Sequence, residues 1–307
     1  MLIKLTLMQN QIVIITGITA SGKSELCNNL VKKHDNIVTI NCDSKQVYKE
    51  IPIITAQPSK KDGLYKLYGY VSAKENYSVG LWLEDLEREV KSALQNSQIP
   101  IIVGGSGLYI SSLVRGLSSI PQVSQEVRKN VNQLSKNLSK EEFYKLVLSK
   151  DPKIQEKISV NDSHRLSRAL EVITETNISI FAWQKNRMPP LFENFKIYTI
   201  LPNREYIYQK INSRFTTMVE NGVIDEVKKL LSINLDLNLP AMKAHGVPEI
   251  IKYLNNEITL KEAIQVAQIN TRHYAKRQYT WFKNQFPNAE VIETPDFEVI
   301  EKNIFFS

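Results

Sequence analysis

Residues 17–24, GITASGKS, constrain this chain more than any other stretch. They fit G-x-x-x-x-G-K-[ST] and follow Ile12, Val13, Ile14 and Ile15, four apolar residues that read as a short buried strand. Glu25–Val31 reads as the start of a helix. A loop between strand and helix turns successive backbone N–H groups inward at a helix N-terminus, whose dipole favours anions. Gly17 and Gly22 permit the tight path, and Ile18, Thr19, Ala20 and Ser21 form the cradle between them. Lys23 offers a point charge to an outer phosphate, and the Ser24 hydroxyl can ligate Mg²⁺. The motif announces a bound polyphosphate and leaves its identity and fate open.

Composition bounds the alternatives. A chain of 307 residues can bury a full core and suggests one large domain, or one domain with an insertion. Hydrophobic content of 42% and charged content of 23% are those of a soluble globular protein. No apolar run approaches the ~18 residues of a membrane span. Met1–Met8 is too short and too lightly charged for a secretory signal. Cys27 and Cys42 lack metal-ligand spacing and fit a reducing cytosol, so a cytoplasmic location is expected. The net charge of +7 permits a nucleic-acid partner without demanding one.

Along the chain, Asn36–Cys42 reads as a second strand that delivers Asp43 to its carboxyl end. Ligands of open α/β sheets sit at that edge, so Asp43 can hold Mg²⁺ through water or act as a base. Capping of the following turn explains the same residue equally well. Ile51–Gln57 carries Pro52 and reads as an ordered loop or edge. Ser78–Leu94 reads as a crossover helix with Leu81, Leu83, Leu86, Val90 and Leu94 as its apolar stripe. Ile99–Val103 is the third strand and runs into a second glycine-rich loop, where Ser106 could put a hydroxyl in the cleft.

From Pro121 to about Phe195 helical patterns take over, at Val127–Leu138, Glu141–Lys150 and Asp162–Thr176. Arg165 and Arg168 share a face of the last, where composition favours a solvated surface pairing with Glu171 and Glu175. Lys196–Leu201 returns to the sheet, and a helix from Asn203 to about Asn221 carries Arg204, Lys210 and Arg214. Leu239–Ile250 reads as a loop bracketed by Pro240 and Pro248, with His245 structural or substrate-facing. The last long helix, Leu260 to about Asn284, interleaves Arg272, Lys276 and Arg277 with aromatic residues, a pattern suited to phosphate contact and base stacking. Trp281 and Phe282 read better as core.

These segments together resemble the bacterial tRNA dimethylallyltransferases. The resemblance rests on GITASGKS (17–24), DSKQVY (43–48), ITAQP (54–58), VGGSGLY (103–109), DSHRLSRALEV (162–172), RFTTM (214–218) and TRHYAKRQYTWF (271–282), in order over nearly the whole chain. It implies an α/β fold: a P-loop NTPase-like parallel-sheet core over residues 1–120 and 196–307, with an all-helical insertion domain over 121–195 that grips the tRNA anticodon arm. The implied reaction moves a dimethylallyl group from dimethylallyl diphosphate to N6 of adenosine 37, in tRNAs reading codons that start with U. Its products are N6-dimethylallyladenosine and diphosphate.

By the same resemblance Asp43 is the general base, Ser106 stands where threonine is usual, and Lys23 and Arg214 meet the diphosphate. Ser24 and Asp43 are the Mg²⁺ candidates. The implied tRNA contacts are Asp43, Ser44, Lys45, Gln46, Ser106, Arg128, His164, Arg165, Leu166, Ser167, Arg168, Lys243, Ala244, His245, Gly246, Arg272, Lys276 and Arg277. The implied partners are the tRNA anticodon stem-loop and dimethylallyl diphosphate, with no membrane and a monomeric state. Four positions depart from the family pattern: Ile54 replaces a glycine, Gln57 a basic residue, and Val247-Pro248 an aromatic–basic pair. The rival readings are a P-loop small-molecule kinase, a nucleotide-dependent RNA-binding module without chemistry, and prenyl transfer to free AMP.

Overall fold

A computed structural model describes residues 12–58, 63–286, 289–293 and 297–305; Met1–Met8 lies outside them. The chain divides into two compact units, one of residues 1–114 with 192–307, the other Arg115–Leu191.

The first unit is built on apolar β-branched runs that bury both faces of a strand. Ile12–Gly17 (β1), Ile37–Asn41 (β2) and Ile99–Gly104 (β4) are buried at every position. Such runs suit interior strands of a parallel sheet covered on both sides. Tyr65–Lys66 (β3), Phe195–Ile200 (β5) and Glu290–Ile292 (β6) complete a six-stranded sheet in the order β3-β2-β4-β1-β5-β6. Every described pairing is parallel, and Ile40, Ile102, Ile14 and Ile197 lie in one row across the four inner strands. The carboxyl ends of β1, β2 and β4 therefore share an edge, and the loops after them converge.

Helices Lys23–Lys33 (α1), Val79–Gln95 (α2) and Gly107–Arg115 (α3) follow the strands. The stripe of α2 keeps the expected Leu83, Leu86 and Val90 and differs at its two ends. Leu81 is exposed, while Trp82, Leu83, Leu86, Val90 and Ala93 are buried. Trp82 donates from its ring nitrogen to the Asn41 carbonyl at 2.9 Å and packs on Tyr109, which makes it and not Leu81 the buried residue of the first turn.

In the second unit, Gln125–Asn137 (α4), Lys140–Lys150 (α5), Ser163–Thr176 (α6) and Ile180–Trp183 (α7) enclose a core of Val131, Phe143, Val147, Leu166 and Leu170. Ser124, Ser139 and Asp162 cap the first three helices, so the expected starts are displaced by a residue or two at most. The unit spans 115–191, where the sequence suggests 121–195. The entering and leaving segments pair with one another at Ser118 and Arg187, and Gly116 (φ +76°) passes so close to the Met188 carbonyl that no side chain fits.

The chain continues through Arg204–Glu220 (α8) and Val223–Ser232 (α9). Leu239–Ile250 is not a loop throughout: a 3₁₀ turn at Ala241–Lys243 leads into Val247–Leu254 (α10). Pro248 sits in the first turn of that helix, where a missing N–H breaks no hydrogen bond. The 26-residue helix Leu260–Gln285 (α11) and Phe297–Phe305 (α12) end the described chain. Among the described residues no helix is long and apolar enough to cross a membrane.

Gly104 lets β4 end against the neighbouring loop. A Cβ there would meet the Cys42 carbonyl oxygen at 2.1 Å. Gly104→Ala is therefore expected to cost at least ~2 kcal/mol of stability, measured by urea denaturation, because backbone and not a movable side chain must give way.

Candidate active site

The loop between β1 and α1 takes its shape from three residues at positive φ: Gly17 (+145°), Ala20 (+62°) and Gly22 (+90°). At Gly17 a Cβ would fall 2.2 Å from the Ile200 carbonyl oxygen, so only glycine fits. Lys23 curls back over this loop, donating to the carbonyls of Gly17 (3.0 Å) and Ile18 (2.6 Å) and to the Ser21 hydroxyl (3.3 Å). Burial pulls the Lys23 pKa down from the usual lysine value to about 8, with Asp43 opposing and the Arg214 charge adding to the fall. Ser24, in the first turn of α1, is exposed.

Arg214 reaches the loop from α8 and donates to the Thr19 hydroxyl at 2.8 Å. Burial lowers its pKa, and Asp43 opposes the shift. Asp43 follows β2 with its N–H held by Asn41 Oδ1 at 2.8 Å, and its own Oδ1 accepts from the Lys45 N–H at 2.8 Å. One carboxylate oxygen thus makes the turn-capping contact, while the residue also lines a cleft of about 670 Å³ together with Lys23, Ser24 and Arg214. The two readings of Asp43 are compatible.

Ser44, Lys45, Gln46, His245 and Tyr274 line the same cleft. Burial lowers the pKa of Lys45, which donates to the Pro240 carbonyl at 2.8 Å. Burial likewise lowers that of His245, against the pull of Glu249, and its ring packs on Tyr274 at 4.6 Å.

Several expected residues take other positions. Ser106 is buried and absent from the cleft lining; its oxygen accepts from the Ser44 N–H at 2.8 Å and donates to the Ser44 hydroxyl at 3.2 Å. It fixes the Asp43–Ser44 turn from behind. Leu166, Ala244 and Gly246 are buried, Leu166 and Ala244 in hydrophobic clusters, so none presents a side chain to a partner. Arg272 donates to Asn212 at 2.8 Å and lies over the Tyr208 ring; Arg277 is exposed above Tyr274, and Lys276 and Lys243 are exposed. Trp281 is half-buried and Phe282 is core.

Within the helical unit His164 and Arg165 are exposed, Ser167 and Arg168 half-exposed. Arg168 pairs with Glu171 at 3.0 Å as composition suggests, but Glu175 instead accepts from the backbone and hydroxyl of Ser124. Arg128 is half-buried there, its Nε without a hydrogen-bond partner.

Two residues that hold the site together are missing from the sequence reading. Gln278 accepts from the Thr19 N–H at 2.8 Å and donates to the Gly105 carbonyl at 2.7 Å, clasping both glycine-rich loops from α11. Glu226 accepts from the N–H groups of Ile53 (2.7 Å) and Ile54 (2.8 Å). Gln278 lies inside the TRHYAKRQYTWF segment, which marks its place if not its task; nothing in the pattern around Glu226 singles it out.

Residues 46–285 match the family described as IPP transferase. The chain belongs to that family. It is 79% identical over 286 residues to the tRNA dimethylallyltransferase of Wolbachia pipientis wMel, covering 93% of this chain and 96% of that one. The tRNA dimethylallyltransferase of Ehrlichia chaffeensis is 53% identical over 290 residues, 94% of this chain and 95% of the relative. The solved full-length tRNA isopentenylpyrophosphate transferase of Bacillus halodurans superposes with a TM-score of 0.67 at 29% identity, covering 96% of this chain and 94% of that one. The six-stranded parallel sheet and its loop belong to the P-loop-like architecture of this family.

Lys23 supplies a measurable signature. Its folded pKa of about 8 lies below the usual 10.5, so between those values the unfolded chain binds more protons than the folded one. The cost of burying its charge is complete below pH 8 and is relieved as pH rises toward 10.5. Carbon-13 NMR of the lysine ε-carbons should find one residue titrating near 8, and Lys23→Met should flatten the gain in urea stability across that window.

Proposed function

We infer that this chain prenylates tRNA, transferring the dimethylallyl group of dimethylallyl diphosphate to N6 of adenosine 37 beside the anticodon. The supporting observation is the gathering of Lys23, Arg214 and Asp43 around one cleft, two cations and a carboxylate. Family membership and the activity named for the relatives do not favour the P-loop kinase alternative. tRNAs reading codons that start with U are the proposed acceptor set, and a cytoplasmic monomer the proposed form.

In this reading the diphosphate seats against the loop amides, and Lys23 exchanges its carbonyl partners for phosphate oxygens. The N6 lone pair attacks C1 of the donor. The C1–O bond breaks, its electron pair leaves with the diphosphate, and Lys23 and Arg214 receive the charge. Asp43 takes the proton lost from N6. The Ser24 hydroxyl and the Asp43 carboxylate suit Mg²⁺, which takes few protein ligands and fills the rest with water and phosphate. Among the described residues no group of three or more His, Cys, Asp or Glu could hold a metal ion. When bound, the ion would neutralise part of the diphosphate charge. The acceptor base must leave its stack to enter the cleft, at a cost of a few kcal/mol that phosphate contacts offset.

The deciding experiment supplies unmodified tRNA and Mg²⁺ with either dimethylallyl diphosphate or labelled ATP. Prenyladenosine and diphosphate should form only with the first. ADP formation dependent on a small alcohol, with no prenyladenosine, would reject the reading. Asp43→Asn should keep fold and tRNA affinity while lowering the single-turnover rate by roughly 10²-fold or more. Replacing Arg165 and Arg168 together by alanine should weaken tRNA binding and reduce its salt slope by about one unit for each phosphate those arginines neutralise. An unaltered slope would return that helix face to solvent.

A further inference from the structure

We propose that Ile54, with Phe215 and Met218, forms a rigid apolar end-wall that limits the donor to a five-carbon chain. The proposal rests on the donor reading above and adds to it the determinant of chain length. All three side chains line the cleft that holds Lys23 and Arg214. Phe215 follows Arg214 directly on α8, and Met218 stands one turn beyond it on the same face. A hydrocarbon leaving a diphosphate gripped by Arg214 and running along α8 meets these two side chains within one helical turn.

Ile54 reaches the same place from a different segment of the chain. Its Cδ1 and the Phe215 Cε2 lie 2.7 and 2.8 Å from the point where a Cβ on Gly246 would sit, so the two side chains meet over that glycine. Gly246 (φ +99°) accordingly has room for no side chain of its own.

The wall is fixed, not merely present. The N–H groups of Ile53 and Ile54 are both held by the buried Glu226 carboxylate. The carbonyls of Thr55 and Ala56 accept from the Gln46 side chain at 2.8 and 3.0 Å. The Thr55 hydroxyl donates to the Ile51 carbonyl at 2.6 Å. Behind the turn Ile51, Val47, Val227 and Val247 pack as solid core. Moving the Ile54 backbone aside would break these bonds together. An open-ended apolar cleft would favour a longer chain, because each further methylene leaves water. A fixed wall reverses that order by steric exclusion.

The test compares kcat/KM for dimethylallyl and geranyl diphosphate with tRNA as acceptor, identifying the nucleoside products by mass spectrometry. The native protein should use the ten-carbon donor at least ~100-fold less well. Ile54→Ala should move the ratio toward geranyl by ~10-fold or more. Circular dichroism and the melting temperature establish folding, and Ile54→Val, one methylene shorter, serves if the larger deletion unfolds; it should move the ratio in the same direction by a few-fold. A native protein that accepts both donors equally, or a folded Ile54 variant with an unchanged ratio, overturns the wall. Failure of the native protein to prenylate adenosine with the five-carbon donor would reject the activity instead. Calorimetric binding of the two diphosphates would then still decide the wall, since it predicts weaker binding of the longer one.

Discussion

Lys23 and Arg214 set two positive charges beside the Asp43 carboxylate, in a cleft where burial lowers the pKa of both cations. Such an excess of charge is unfavourable in the free protein and becomes favourable only when an anion supplies the missing compensation. The surrounding architecture keeps those charges in place. Loop carbonyls hold Lys23, Thr19 holds Arg214, and Asn41 together with the Lys45 amide holds Asp43. The protein is thus pre-organised for an anion, with the cost of gathering the charges met by the fold rather than at the moment of binding.

Much of this was legible in the sequence, and the reason is local. The strand–loop–helix at 12–33, the strand ending before Asp43 and the second glycine-rich loop each depend on neighbouring residues, and each forms where the pattern indicates. Local pattern also explains the errors. The leucine spacing of residues 81–94 cannot reveal that Trp82 has a carbonyl waiting at the end of β2, and bracketing prolines conceal a helix whose first turn tolerates one of them.

Ser106 marks a different limit. Its loop position suggested a hydroxyl directed into the cleft, yet the oxygen is turned to Ser44 and buried. Direction is a tertiary property, set by which backbone N–H lies in reach. Leu166, Ala244 and Gly246 make the same point within segments matched as a whole: a motif names a stretch of chain, but burial sorts its members into those that face a partner and those that hold the stretch in shape. Gln278 and Glu226 belong to the second kind, and they act on backbone groups that carry no sequence signature.

The Gln278 clasp spans 259 residues between its side chain and the Thr19 N–H. Interactions of such separation close the largest loops and bear the heaviest entropic cost, so they govern the pace of folding. The cleft draws on segments near residues 20, 43, 54, 214, 245 and 278, with the whole helical unit lying between the third and fourth of them in the chain. A chain emerging from the ribosome therefore carries the phosphate loop long before it carries Arg214 or the α11 brace. The loop alone has no second cation, no apolar wall and no clasp on its amides. Assembly of the site is thereby coupled to completion of the polypeptide, and a partly synthesised chain lacks the segments that close the cleft.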